Sequence, residues 1–139
     1  MKDGPSVIMT SLFVAGVVAF GAGCAGPEKL SASSSLPAAE GTLRCAKADN
    51  DNTSIDLQVK HLADPDRLTP PAAVYVVWTK ADKDAAPQNI GALEVDENLD
   101  GRLKTVTPLH SFELFVTSEA TGQAPSPSGE PLLWANCNR

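Results

Sequence analysis

From Thr42 to the C-terminus, apolar and polar residues alternate with a period of two, and no stretch of a dozen residues carries a helical stripe. Successive side chains of a strand point to opposite faces, so a chain patterned this way buries one face of each strand and folds as packed sheets. Ile55, Leu57 and Val59 point one way while Asp56, Gln58 and Lys60 point the other. Phe112, Leu114 and Val116 repeat this against Glu113, Phe115 and Thr117. The run Val74 to Thr79 has almost no polar residue on either face, the mark of a central strand. The pattern predicts strands at Thr42–Lys47, Ser54–Lys60, Ala73–Lys80, Asn89–Val95, Leu103–Thr107, Ser111–Ser118 and Pro131–Cys137. Turn formers separate them: Asp49-Asn50-Asp51-Asn52, Asp64-Pro65-Asp66, Thr69-Pro70-Pro71, Asp100-Gly101 and the run Gly122 to Gly129. The expected fold is all-β, an immunoglobulin-like antiparallel β-sandwich of about seven strands, with a small β-barrel as the alternative.

Charge narrows the partners. Eleven Lys and Arg against 17 Asp and Glu leave a net charge of -6, whereas phosphate binding needs a basic face, so no nucleic-acid partner is expected. With 42% hydrophobic residues the chain can bury a core, which separates it from disordered acidic segments.

Ahead of the alternating region lies an uncharged run, Val7 to Phe20, too short to span a bilayer comfortably. It is followed by Gly21, Ala22, Gly23 and Cys24, as the apolar middle of a secretory signal is followed by its cleavage site. This segment resembles a bacterial lipoprotein signal. The resemblance implies that residues 1–23 are removed and that Cys24 is acylated as the new N-terminus, so the membrane is a partner through the N-terminal lipid. Ala25 stands where an inner-membrane retention signal has Asp, which points to the outer membrane or the cell surface within the envelope. Residues 24–41 (CAGPEKLSASSSLPAAEG) are small and polar without periodicity and read as a flexible tether, which leaves 42–139 as the folded domain.

With Cys24 lipidated, Cys45 and Cys137 remain as a pair near the two ends of that domain. An intramolecular disulfide suits an oxidising compartment, the alternatives being two buried thiols or a bond to another chain. A bridge closing roughly 90 residues stabilises by about 4 to 5 kcal/mol on chain-entropy grounds.

Candidate sites are sparse. Asp96-Glu97-Asn98-Leu99-Asp100-Gly101 has the opening of a calcium loop, with Asp96, Asn98 and Asp100 as oxygen donors. Its twelfth position is Thr107 where a bidentate Glu belongs, and a hairpin with Asp-Gly at its tip explains the residues more cheaply. Glu94 and Asp96 fall on one face of a strand, as on any solvated strand. His61 and His110 lie at strand ends without a motif around them; a hydrolase or metal site would need both to converge in one cleft. Tyr75 and Trp78 form either an aromatic platform or sandwich core. No catalytic residue and no cofactor are expected.

One resemblance spans Val74 to Leu133. Tyr75-Val76-Val77-Trp78, then Gly91, Asp100-Gly101, and Val116-Thr117-Ser118-Glu119 followed by Gly122, Pro125, Pro127 and Gly129 resemble the C-terminal extracytoplasmic domain of anti-sigma-K factors. That domain has a Y-x-L-W strand and an ending V-T-x-E-x-x-G-x-x-P-x-P-x-G. The sigma-binding region and transmembrane helix of such factors are not recognised in this sequence. The resemblance therefore implies an extracytoplasmic interaction or sensing module, not a transcriptional regulator. Read by themselves, Pro125, Pro127 and Gly129 stiffen a crossing between the last two strands, and Glu119 is placed to cap its backbone donors. The expected function is a non-enzymatic, lipid-anchored module that meets another envelope protein through Tyr75, the Asp96–Gly101 turn or an exposed strand edge.

Overall fold

The computed structural model describes Gly4 and residues 26–139. The strands are β1 (Glu28–Lys29), β2 (Ser31–Ala32), β3 (Glu40–Lys47), β4 (Thr53–Lys60), β5 (Val74–Lys80), β6 (Gln88–Ala92), β7 (Glu94–Val95), β8 (Gly101–Thr107), β9 (Ser111–Glu119) and β10 (Leu133–Asn138). They form two antiparallel sheets of five, ordered β1-β3-β4-β8-β7 and β2-β10-β9-β5-β6. The two sheets stay separate, so the chain is a β-sandwich and the barrel alternative falls. The order β3-β4-β8-β7 against β10-β9-β5-β6 is that of an immunoglobulin-type Greek key. Among the described residues the only helical turns are single 3-10 turns at Asp49–Asp51 and Pro65–Arg67, and no helix is long and apolar enough to cross a membrane.

The predicted alternation sets the core. Leu43, Ile55, Leu57 and Val59 from the first sheet pack against Tyr75, Val77, Leu114, Val116 and Leu133 from the second. Each such side chain contributes about 1.5–3 kcal/mol by leaving water. Val76, Trp78 and Phe115 belong to a second cluster with Ala124, on the outward face of the second sheet. The chain between β9 and β10 lies over them as a strap, so β5 is buried on both faces. That is why Val74 to Thr79 lacks a polar side.

Two expectations about where the chain runs are corrected. Residues 28–41 are not a tether: β1 pairs with β3 and β2 pairs with β10, with Glu28 opposite Leu43 and Trp134 opposite Ser31. Leu36 and Ala39 are buried in the main core, and Leu30 donates its N–H to Gly41 O at 2.9 Å. A Cβ on Gly41 would approach the Leu30 side chain to 3.0 Å, so the glycine lets this segment lie close. The segment Asn89–Val95 is not one strand either. It leaves the second sheet after Ala92 and joins the first at Glu94, the switch being fixed by buried Leu93, whose N–H donates to Tyr75 O at 2.9 Å. Gly91, at φ 131, permits the turn-out.

These crossings close both sides of the sandwich. β1 and β2 run from one sheet edge to the other on one side, and β6 and β7 do so on the opposite side. Three of the four edge strands are two residues long. The fourth, β6, pairs with β5 through a register shift between Val77 and Trp78. Short and irregular edges leave little template for strand addition.

Candidate functional site

Of the motif residues, Trp78 and Glu119 meet under the strap that holds Gly122, Pro125, Pro127 and Gly129, whereas Tyr75 lies in the main core and Asp100 and Gly101 lie at the start of β8 in the other sheet. Trp78 is fully buried, and its Nε1–H donates to Thr117 Oγ1 at 2.8 Å. Thr117 Oγ1 in turn donates to Glu119 Oε1 at 2.5 Å. The same carboxylate accepts the Ser128 N–H at 3.0 Å and the Ser128 hydroxyl at 2.5 Å. Burial, the largest single influence, pushes the Glu119 carboxyl upward. The bonds from Ser128 and Thr117 together outweigh it and hold the group below the usual carboxylate range. On the other side, Asn89 Nδ2 donates to the carbonyls of Gly122 and Ala124 at 2.9 and 3.1 Å. Glu119 and Asn89 thus pin the strap at both ends, with Pro125 and Pro127 between them. A Cβ on Gly129 would meet nothing within 4 Å, and one on Gly122 would make only ordinary contact with Ala92 at 3.5 Å. Neither glycine is demanded by space. The role of this group is structural: it roofs Trp78.

Tyr75 is no surface platform. It is fully buried in the main core and its hydroxyl donates to Ala63 O at 2.6 Å. Burial, with the Asp64 charge adding, pushes its pKa up to about 12. Tyr75 and Trp78, three residues apart, point to opposite faces of β5, so they form no joint platform.

The calcium-like loop is a self-satisfied hairpin. Asp96 Oδ1 accepts the N–H groups of Asn98 and Asp100 at 2.9 and 3.0 Å. Leu99, at φ 61, completes the turn, so the tip is Asp96 to Leu99 and not Asp100-Gly101. Gly101 is instead buried at the start of β8, where a Cβ would come within 2.9 Å of Leu62 and 3.1 Å of Leu93. The shallow cavity bounded by Glu94, Asp96 and Asp100 also holds Arg102. Thr107 is buried at the far end of β8 opposite Thr53, roughly 20 Å along the strand from the loop.

The two histidines do not converge. His61 follows the last residue of β4, whereas His110 lies beside Asp51, just before β4 begins. A strand of eight residues separates them, roughly 25 Å, so they cannot share a metal whose bonds to nitrogen run near 2 Å. Among the described residues no three metal-binding side chains gather. His110 Nε2 lies 2.8 Å from Asp51 O and 3.2 Å from Asp51 Oδ2. Arg139 joins this knot, its Nη2 donating to Asp51 O at 2.7 Å and its Nε to Thr53 Oγ1 at 2.9 Å. The acidic turn Asp49–Asn52 therefore ties down the C-terminus.

Cys45 on β3 and Cys137 on β10 form the expected disulfide, with Cα atoms 6.3 Å apart. It joins the two sheets beside the N-terminal segment, since Gly26 and Glu28 border the same small cavity as the two cysteines. Cys24 lies outside the described residues.

One exposed group escaped the sequence reading. Trp134 is 39% exposed on the outward face of β10, while Leu133, Ala135 and Cys137 point inward. The signal was available: Trp134 occupies the polar side of an alternating strand, with Asn136 and Asn138 as its neighbours on that face. The structure thus defines an immunoglobulin-type β-sandwich stapled by one disulfide. No family model, no curated protein and no solved structure matches the chain.

Proposed function

We propose that this chain is a lipid-anchored, extracytoplasmic binding module of the bacterial envelope, non-enzymatic and acting through contact with another envelope component. The observation that carries the reading is the pairing of a signal-like leader ending at Cys24 with the Cys45–Cys137 disulfide, a bond suited to an oxidising compartment. The similarity to the anti-sigma-K C-terminal domain is consistent with it. The Glu119-to-Gly129 part of the motif roofs Trp78 while Tyr75 and Gly101 pack in the main core, so what the two would share is a scaffold rather than a reaction.

The placement of β1 adds a consequence. Glu28 is four residues from Cys24, a reach of about 14 Å for extended chain. A lipid on Cys24 would hold the sandwich against the membrane by its disulfide end, with no stalk between them.

In washed envelopes, the wild-type chain is expected to pellet with membranes and to resist high salt. The Cys24→Ala variant is expected in the soluble fraction, and an envelope protein that copurifies with the wild type from gently solubilised membranes should be lost with it. A wild type found soluble, or a Cys24→Ala variant still held by membranes, would contradict the anchor.

A further inference from the structure

Trp134, Phe115 and Trp78 stand opposite one another in register across β10, β9 and β5. The strap covers two of them and leaves Trp134 as the open end of the row. The next row on the same face is Asn136, Glu113 and Lys80. These three line a groove of about 260 Å³, together with Asp82, Lys83 and Ser111. Asn138, which also lines it, is already engaged, accepting from Ser111 Oγ at 2.6 Å. The head groups of Lys80, Glu113 and Asn136 have no such partner among the described residues.

We propose that Trp134 and this groove form a binding site for a neutral oligosaccharide. Three features select that ligand class. An exposed indole beside the groove offers a flat apolar surface, which suits stacking with the C–H face of a pyranose ring. An amide, a carboxylate and an ammonium group next to it supply both donors and acceptors, the mixture that sugar hydroxyls require. The groove's two lysines and two carboxylates balance on a chain of net charge -6, so no single-sign field favours an anion or a cation. Strand spacing of about 4.8 Å and about 6.8 Å between alternate residues place these groups within the footprint of a disaccharide. An extended peptide fits less well, because the adjoining edge strand β2 has only two residues to pair with it. The Cys24 anchor plays no part in this inference.

The chain contains two tryptophans, one buried and one exposed, which makes intrinsic fluorescence a reporter of this site. The purified full chain is titrated with cellotetraose, chitotetraose and laminaritetraose. A saturable change in emission with at least one of them is expected, and Trp134→Ala should abolish it while the buried Trp78 keeps its emission. Asn136→Ala, on the exposed face, should weaken binding by about tenfold, the loss expected for one or two hydrogen bonds. Calorimetry on both variants reads the same loss without relying on fluorescence. Absence of any response to all three sugars, or binding that survives Trp134→Ala and Asn136→Ala, overturns the assignment. Protection of Trp134 by a copurified envelope protein with no sugar response also overturns it.

Discussion

Replacing Cys45 and Cys137 together by Ala is expected to lower stability by about 4.5 kcal/mol, the chain-entropy effect of opening a loop closed over a separation of 92 residues. For a domain this size the melting temperature should fall by about 20 °C. The cysteines stand on β3 and β10, in different sheets, so the bond ties directly together two layers that otherwise meet through side chains and the connections between strands. Small domains are stable by only about 5–15 kcal/mol, which makes one bond a large share of the whole. Thermal unfolding with and without a thiol reductant checks this. The reduced wild type should melt with the double variant, and equal melting points in both conditions would remove the disulfide from the account.

Trp78→Ala should cost about 3–5 kcal/mol, in the range for an aromatic group removed from a packed interior. The indole fills the space between β5 and the strap, and its loss also leaves Thr117 Oγ1 without its donor. The same layer gives stability an acid limb. The Glu119 carboxyl titrates lower in the folded chain than its ordinary value of 4.5, so its contribution is complete above about that pH. It is lost as pH falls through the folded value, because the protonated acid no longer attracts the Ser128 and Thr117 donors as strongly. Denaturation midpoints between about pH 7 and pH 3 should therefore decline more steeply for wild type than for Glu119→Gln. Parallel curves would show that Glu119 does not hold the strap through its charge.

Much of this architecture was legible because period two is a strong signal where one face is buried. Six of the seven predicted strands agree with the structure to within two residues, and the bridge between Cys45 and Cys137 is present. The failures have physical causes. β1 and β2 are two-residue strands in a run of small residues, where propensity is silent; only Leu30, Leu36 and Ala39 hinted at burial. The break at Leu93 was hidden because Glu94 and Val95 keep the alternation going after the chain has changed sheets. Gly101 looked like a turn residue beside Asp100, yet its small size is required by Leu62 and Leu93, which come from distant parts of the chain. The orientation of Trp78 depended on the strap, a tertiary fact that a strand apolar on both sides cannot reveal. The groove beside Trp134 needed three strands in register before its rows could be seen.

The proposed function assigns a lipid to Cys24, beside the disulfide between Cys45 and Cys137. Peptide mass spectrometry of the protein taken from native membranes without reductant tests both cysteine states at once. The expected result is an N-terminal peptide that begins at Cys24 and carries diacylglycerol, together with a cross-linked pair of peptides containing Cys45 and Cys137. A chain that still begins before Cys24 with an unmodified thiol there, and free thiols at Cys45 and Cys137, would contradict it.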